Sequence, residues 1–283
     1  WTGTENTTYF FDIQHDYFEE ALERFGQFFS APLFNADAVD KERNAVDSEY
    51  RLKLQDDVRR IYQVQKETIN PEHPFSKFSV GSTETLADRE NSSIRDELIA
   101  FYRSHYSANL MAASVTGPFT LDSLEELAQE TFELIPNHDL PLFIPEVPFV
   151  DIPQRQQFIR IEPLKDVRKL TLAFSMPATD EHYRIKPLSY IASLLGYEGI
   201  GSVMSMLKNK GYINNLSAGG GISGSNFREF TVSVSLTEVG LNHIDDIVAY
   251  LFQAIHLIRE QGLNEWRYKE KRAVQEKAFR YQE

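Results

Sequence analysis

Between Pro32 and Pro71 lies the longest stretch of the chain without a glycine or a proline, and residues 37–69 of it, DAVDKERNAVDSEYRLKLQDDVRRIYQVQKETI, carry charge throughout. Nothing in that stretch forces a break in backbone hydrogen bonding, so it is expected as one long helix. Asn35 or Asp37 is available to cap its first N–H groups, and Asn70-Pro71 stops it. Glu42 and Glu49 stand seven positions apart. At about 3.6 residues per turn their carboxylates reach nearly one face, roughly 10 Å apart along the axis. Ala45 and Val46 lie between them on adjoining faces, so the acidic surface is expected to be partly buried. On spacing alone the pair reads first as ordinary surface carboxylates on a charged helix, and a functional role needs further support.

The length, 283 residues, suits about two domains, and a hydrophobic content of 42% supports packed cores. Lys and Arg total 29 against 42 Asp and Glu, a net charge of −13, which argues against nucleic acid or an anionic membrane as partner. No apolar run is long enough to span a membrane as a helix. The absence of cysteine excludes disulfides, thiolate zinc sites and a cysteine nucleophile. The chain opens on Trp1-Thr2-Gly3 without an initiator Met or a signal peptide, and is expected to be an internal piece of a longer polypeptide.

Aromatic and β-branched patterning predicts strands at 7–13, 109–117, 157–161, 169–174 and 230–236. Apolar residues at spacings of three and four predict helices through Phe18, Ala21, Leu22, Phe25, Phe28 and Phe29, and over 93–106, 121–135, 187–195, 202–210, 241–259 and 264–281. Five prolines between 136 and 153 exclude a helix or a central strand there. The expected division is a first domain over 1–140, a linker over 141–153 and a second domain over 154–283. Eight glycines gather between Gly196 and Gly224, but their spacing matches neither a phosphate loop nor a dinucleotide fingerprint. A weak internal repeat sets strand, helix and charged helix at 7–69 against 230–281. It lays Glu42 on Glu270 and Glu49 on Lys277.

No H-E-x-x-H, H-x-x-E-H or G-x-S-x-G motif occurs, and the seven histidines are never paired at helical spacing. His73, between prolines, is expected to be structural. These residues make no complete active site, but Glu49 could be a third zinc ligand delivered by a helix to a two-histidine site elsewhere. Glu42 lies too far along the axis to share that metal and could support a ligand or its helix.

Glu42-Arg43-Asn44-Ala45-Val46-Asp47-Ser48-Glu49 is followed by Asn70-Pro71-x-His73-Pro74-Phe75-Ser76-Lys77-Phe78 and Tyr106-Ser107-x-Asn109-Leu110-Met111. Further on come Gly196-Tyr197-Glu198-Gly199-x-Gly201-Ser202, Leu207-Lys208-x-Lys210-Gly211 and Asp245-Asp246-Ile247. Together, and over essentially the whole chain, these resemble the pitrilysin and insulin-degrading enzyme (insulinase) family of zinc peptidases. The resemblance implies an H-x-x-E-H motif on an upstream helix, with Glu49 as the third zinc ligand and Glu42 as a catalytic support. Only 48 residues precede Glu49, so the family's spacing puts the histidine motif before Trp1, and this fragment by itself is expected neither to retain zinc nor to hydrolyse peptides.

By the same resemblance, residues 1–3 begin an edge strand that pairs with substrate, Trp1 and Tyr62 wall the pocket at the scissile bond, and Gly196, Glu198 and a turn of Leu216, Ser217, Ala218 and Gly219 grip the substrate's N-terminal end. The implied fold is α+β, two homologous domains, each a mostly antiparallel sheet with helices packed on it, the second binding no metal. The implied whole protein is a zinc metalloendopeptidase that cleaves peptides and small proteins in a chamber closed by the remaining domains of the same polypeptide. A non-catalytic relative serving as a scaffold or processing-complex subunit is the competing expectation. Likeness to the bacterial branch implies a periplasmic location.

Overall fold

The computed structural model describes residues 1–282, which divide into two compact units. One comprises Trp1, Thr7–Val64 and Lys77–Ile144; the other comprises Thr2–Asn6, Gln65–Ser76 and the chain from Pro145 onward.

The helices of the first unit are α1 (Phe18–Ser30), α2 (Ala36–Lys53), α3 (Asp57–Thr68, its last turn belonging to the second unit), α4 (Ile94–His105) and α5 (Leu121–Phe132). Against α1, α5 packs so closely that a Cβ at Gly26 would collide with Thr131 Cγ2 and lie 2.8 Å from the Thr131 carbonyl oxygen, a crossing only glycine permits. Leu22 and Leu124 are buried there. Phe25, Phe29 and Tyr9 extend the contact as edge-to-face rings, the arrangement aromatic quadrupoles favour. The Tyr102 hydroxyl of α4 donates to the Phe29 carbonyl near the end of α1. Ser93 caps α4 by accepting from the Asp96 amide, and Thr120 caps α5 by accepting from the Ser123 amide.

The expected single helix over 37–69 is two helices, α2 and α3. Its break has a local cause: the Asp56 carboxylate accepts from the Arg59 amide at 3.1 Å, starting a new helix where the old one would have continued. Asn35 occupies the N-cap position of α2, yet its side chain makes no capping bond. The segments 7–13 and 109–117, expected as strands, form no ladder; 108–110 is a 3-10 turn followed by extended chain. A strand needs a neighbour paired along its length, and among the described residues only Thr8 finds one, exchanging backbone bonds with Trp1, while the rest of 7–13 and all of 109–117 join no ladder.

Sequence alternation is realised in the second unit as β1 (Lys169–Met176), β2 (Ile213–Gly224) and β3 (Phe227–Leu236), an antiparallel sheet in the order β1-β3-β2. Residues 157–161, expected as a strand, lie outside it. Even-numbered residues of β3 (Phe230, Val232, Val234, Leu236) face a core completed by Leu195 of α6 (Pro187–Leu195), Met204 and Leu207 of α7 (Val203–Asn209), and Ile247 and Leu251 of a long amphipathic helix further on. The expected helix over 241–259 is a short α8 (Glu238–Leu241) and then α9 (Ile244–Gln261); α10 (Glu265–Arg280) follows. Helices plus a small antiparallel sheet make the fold α+β.

On the other face of the β2–β3 hairpin, Phe227 stacks on Phe149 with centroids 3.8 Å apart, and His73 and Phe75 close around the pair. His73, as a structural turn residue, is buried to 1% exposure. Its Nδ1 accepts from the Phe75 amide, so the ring proton sits on Nε2, facing Asn226 Oδ1 at 3.2 Å. Two polar groups are buried beside this aromatic cluster. Desolvation lowers the Lys66 pKa, with the ammonium 4.0 Å above the Phe75 ring. It raises that of Glu229, opposed by the hydrogen bond Glu229 accepts from Gln65.

Candidate functional site

On α2, Arg43, Val46, Asp47 and Tyr50 turn inward, while Glu42, Ala45 and Glu49 are exposed. Glu42 and Glu49 do share a face, as spacing required, but that face is open and not partly buried. The buried acid is their neighbour. Asp47, 8% exposed, accepts from the Thr83 amide at 2.9 Å, the Thr83 hydroxyl at 3.1 Å and Arg51 Nε at 2.6 Å. Close approach of this turn to α2 depends on Gly81, where a Cβ would lie 2.9 Å from Val46 Cγ1. Tyr50 adds an edge-to-face contact with Phe78. These contacts fix the rotation of α2 and therefore the direction in which Glu49 points.

Asp47 escaped the reading of the sequence. Its i,i+4 partner Arg51 is visible there, but Thr83, which supplies the backbone donor, is 36 residues away and nothing local marks it. The Thr83 amide, and after it Arg51, hold the Asp47 carboxyl below its usual pKa. A depressed carboxyl stabilises the fold above about pH 4, where the unfolded group is also ionised, and the contribution is lost as pH falls through the folded value. Asp47→Asn is therefore expected to lower the thermal midpoint at pH 7 and to converge on wild type in melts taken toward pH 3.

Trp1, 66% exposed, exchanges two backbone bonds with Thr8, at 2.8 and 2.9 Å. Its ring lines an apolar depression with Tyr9, Phe10, Phe11, Phe25 and Phe28. Thr2 is bridged singly, and residues 1–3 form no continuous strand. Tyr62 of α3 is not among the residues lining this depression. It is half-buried, and its phenol is raised above the ordinary value by desolvation.

The second unit brings Gly196 and 216–219 together. Gly196 ends α6, and a Cβ there would come within 3.0 Å of the Ala192 carbonyl and 3.8 Å of the Ala218 amide nitrogen. Residues 216–219 are not a turn, as expected, but part of β2, paired to β3 with Leu216 opposite Val234 and Ala218 opposite Val232. The apolar alternation of β3 draws them into the sheet. Leu216 is a core residue at 3% exposure, so at this position a ligand would meet backbone. β2 is an edge strand, and among the described residues no strand lies beyond the main-chain groups on its outer side. Glu198 is exposed just past Gly196.

The family model described as Insulinase (Peptidase family M16) matches residues 1–72, and that of the Peptidase M16 inactive domain matches residues 93–274. Insulin-degrading enzyme from Homo sapiens is 40% identical over 286 residues, covering 100% of this chain and 28% of that protein. A-factor-processing enzyme from Saccharomyces cerevisiae is 38% identical over 288 residues, again spanning 28% of the relative. The crystal structure of pitrilysin superposes with a TM-score of 0.91 at 32% identity, covering 95% of this chain and 29% of that one. The chain thus spans less than a third of the length of these relatives.

Proposed function

The chain belongs to the insulinase family, peptidase family M16, and from that premise we propose that it is the section of a zinc metalloendopeptidase that delivers the third zinc ligand, Glu49. The observation that carries this reading is an exposed acid on a helix held in rotation: Glu49 faces outward while Asp47 is tied to Thr83 from the inner side. A carboxylate oxygen is a fitting zinc donor, and Glu49 is in no ion pair among the described residues. Among the described residues no three His, Asp or Glu groups gather to hold a metal, so Glu49 fits one ligand position of three. The two histidine ligands and a water-activating glutamate are assigned to polypeptide outside these 283 residues.

Bound there, zinc would polarise the scissile carbonyl and the attacking water. Residues of this chain would align it: Asp47 and Thr83 hold α2, Glu42 supports from two turns away, and Glu49 supplies negative charge. Leu52, 79% exposed one turn beyond Glu49, belongs to a face that the histidine-bearing segment would cover. Substrate peptides and small proteins, enclosed with the remaining domains of the polypeptide, would add a strand to the open edge of β2, with Glu198 pairing the α-ammonium. The second unit is assigned no metal: its match is to an inactive domain, and in the repeat Lys277 of α10 stands where Glu49 does.

Zinc content and cleavage of a quenched peptide by the full-length protein, wild type against Glu49→Gln, test the reading. Zinc-dependent cleavage that Glu49→Gln removes is expected. A full-length protein that neither takes up zinc nor cleaves would instead be a non-catalytic relative acting as a scaffold.

A further inference from the structure

We infer that Arg228 is a specificity-determining anchor for an acidic side chain near the N-terminus of the bound peptide, a deepening that rests on the assignment of the β2 edge as the peptide site. Arg228 lies on the central strand β3, yet its guanidinium lies across the edge strand β2. A Cβ built at Gly220 would sit 3.8 Å from Arg228 Nε and 3.9 Å from Nη2. The three successive glycines 219–221 carry no side chains to intervene, so the guanidinium lies directly over the backbone of the edge strand at Gly220.

Its charge is incompletely engaged. The nearest carboxylate, Asp180, is 3.9 Å away, beyond hydrogen-bond distance, and the buried Nε has no hydrogen-bond partner among the described residues. Glu229, next along β3, points to the opposite face and is held by Gln65. Arg228 itself is one-third exposed, at 33%. A planar guanidinium in that condition fits a carboxylate through paired N–H groups.

Register gives the position. Residues directly opposite in paired strands project to the same face. A peptide residue opposite Gly220 therefore shares the face on which Arg228 lies. Gly220 is two residues, roughly 7 Å, along β2 from Ala218, the residue beside Gly196. With the α-amine held at Glu198, the side chain meeting Arg228 belongs to the second or third residue of the peptide. The chain's net charge of −13 disfavours acidic peptides elsewhere, which makes this cation discriminating.

Short fluorescent peptides with a free N-terminus, each with Glu or Gln at one of the first five positions, are titrated against the 283-residue chain. Glu at the second or third position is expected to tighten binding roughly 10-fold over Gln, on the scale of a charge-assisted hydrogen bond. Arg228→Met is expected to bring the two affinities together, and Arg228→Lys to keep part of the difference. Equal binding of Glu and Gln peptides to wild type, or a difference that persists in Arg228→Met, overturns the inference. Binding that needs the α-amine and Glu198 but ignores the acidic residue overturns the anchor alone. If no peptide binds at all, the edge-strand site falls and the anchor with it.

Discussion

Glu49→Gln in the full-length protein is expected to abolish stoichiometric zinc retention and to reduce peptide cleavage by at least about 100-fold. The amide has the shape of the carboxylate but not its charge, and zinc with three protein ligands depends on each of them. Folding is expected to be nearly untouched, within about 0.5 kcal/mol, because Glu49 is exposed and the contacts that hold α2 run through Asp47, Val46 and Tyr50 on the inner side. Glu42→Gln is expected to cost about 10-fold, the scale of a group that supports a metal ligand without touching the metal. Metal analysis after dialysis, circular dichroism and initial rates separate the two. Equal zinc retention by wild type and Glu49→Gln would remove Glu49 from the metal site.

Asn226→Asp is expected to destabilise the second unit by about 4 kcal/mol at neutral pH, a drop in thermal midpoint on the order of 10 °C. Asn226 Nδ2 donates to the carbonyls of Pro145 at 2.7 Å and Val147 at 2.9 Å, while Oδ1 faces His73 Nε2. The substitution keeps the volume but turns a two-bond donor into an anion aimed at two carbonyl oxygens. Those carbonyls raise the introduced carboxyl's folded-state pKa above its unfolded value, so the penalty is present above that raised pKa and is relieved as pH falls and the group regains a proton to donate. Denaturant titrations at pH 7 and pH 4.5 check both the size and the sign. A substitution effect that grew on acidification would contradict this account of the bonding.

Much of the helical framework was legible because helices write their pattern locally: α1, α4, α5, α6 and α7 follow apolar spacing with caps or prolines at their ends, and α10 lies within its expected range. The one long helix failed at Asp56, whose carboxylate can cap a new helix as readily as it can sit on the surface of an old one. Strands fared worse, since alternation marks a segment able to pair and says nothing about whether a neighbour is there. Residues 169–176 found β3; among the described residues, 7–13 paired only with Trp1, at Thr8, and 109–117 joined no ladder. At the candidate metal ligand the seven-residue spacing correctly put Glu42 and Glu49 on one face. It could not tell which side of α2 was covered, and that side belonged to Asp47.

The sequence by itself determined the family, the α+β class, the shared face of Glu42 and Glu49, and the glycine-rich stretch that became β2, because each rests on residue order or on a period of two or 3.6. Only the tertiary structure decided that Asp47 is tied to Thr83, that Gly196 lies against Ala218, and that the guanidinium of Arg228 lies across Gly220. It alone grouped 2–6 and 65–76 with the unit that continues from Pro145. There His73 and Phe75 meet Phe149 and Phe227. Contacts of that kind join residues tens of positions apart, and packing, hydrogen-bond satisfaction and the lack of a side chain at a glycine select them, none of which has a sequence period.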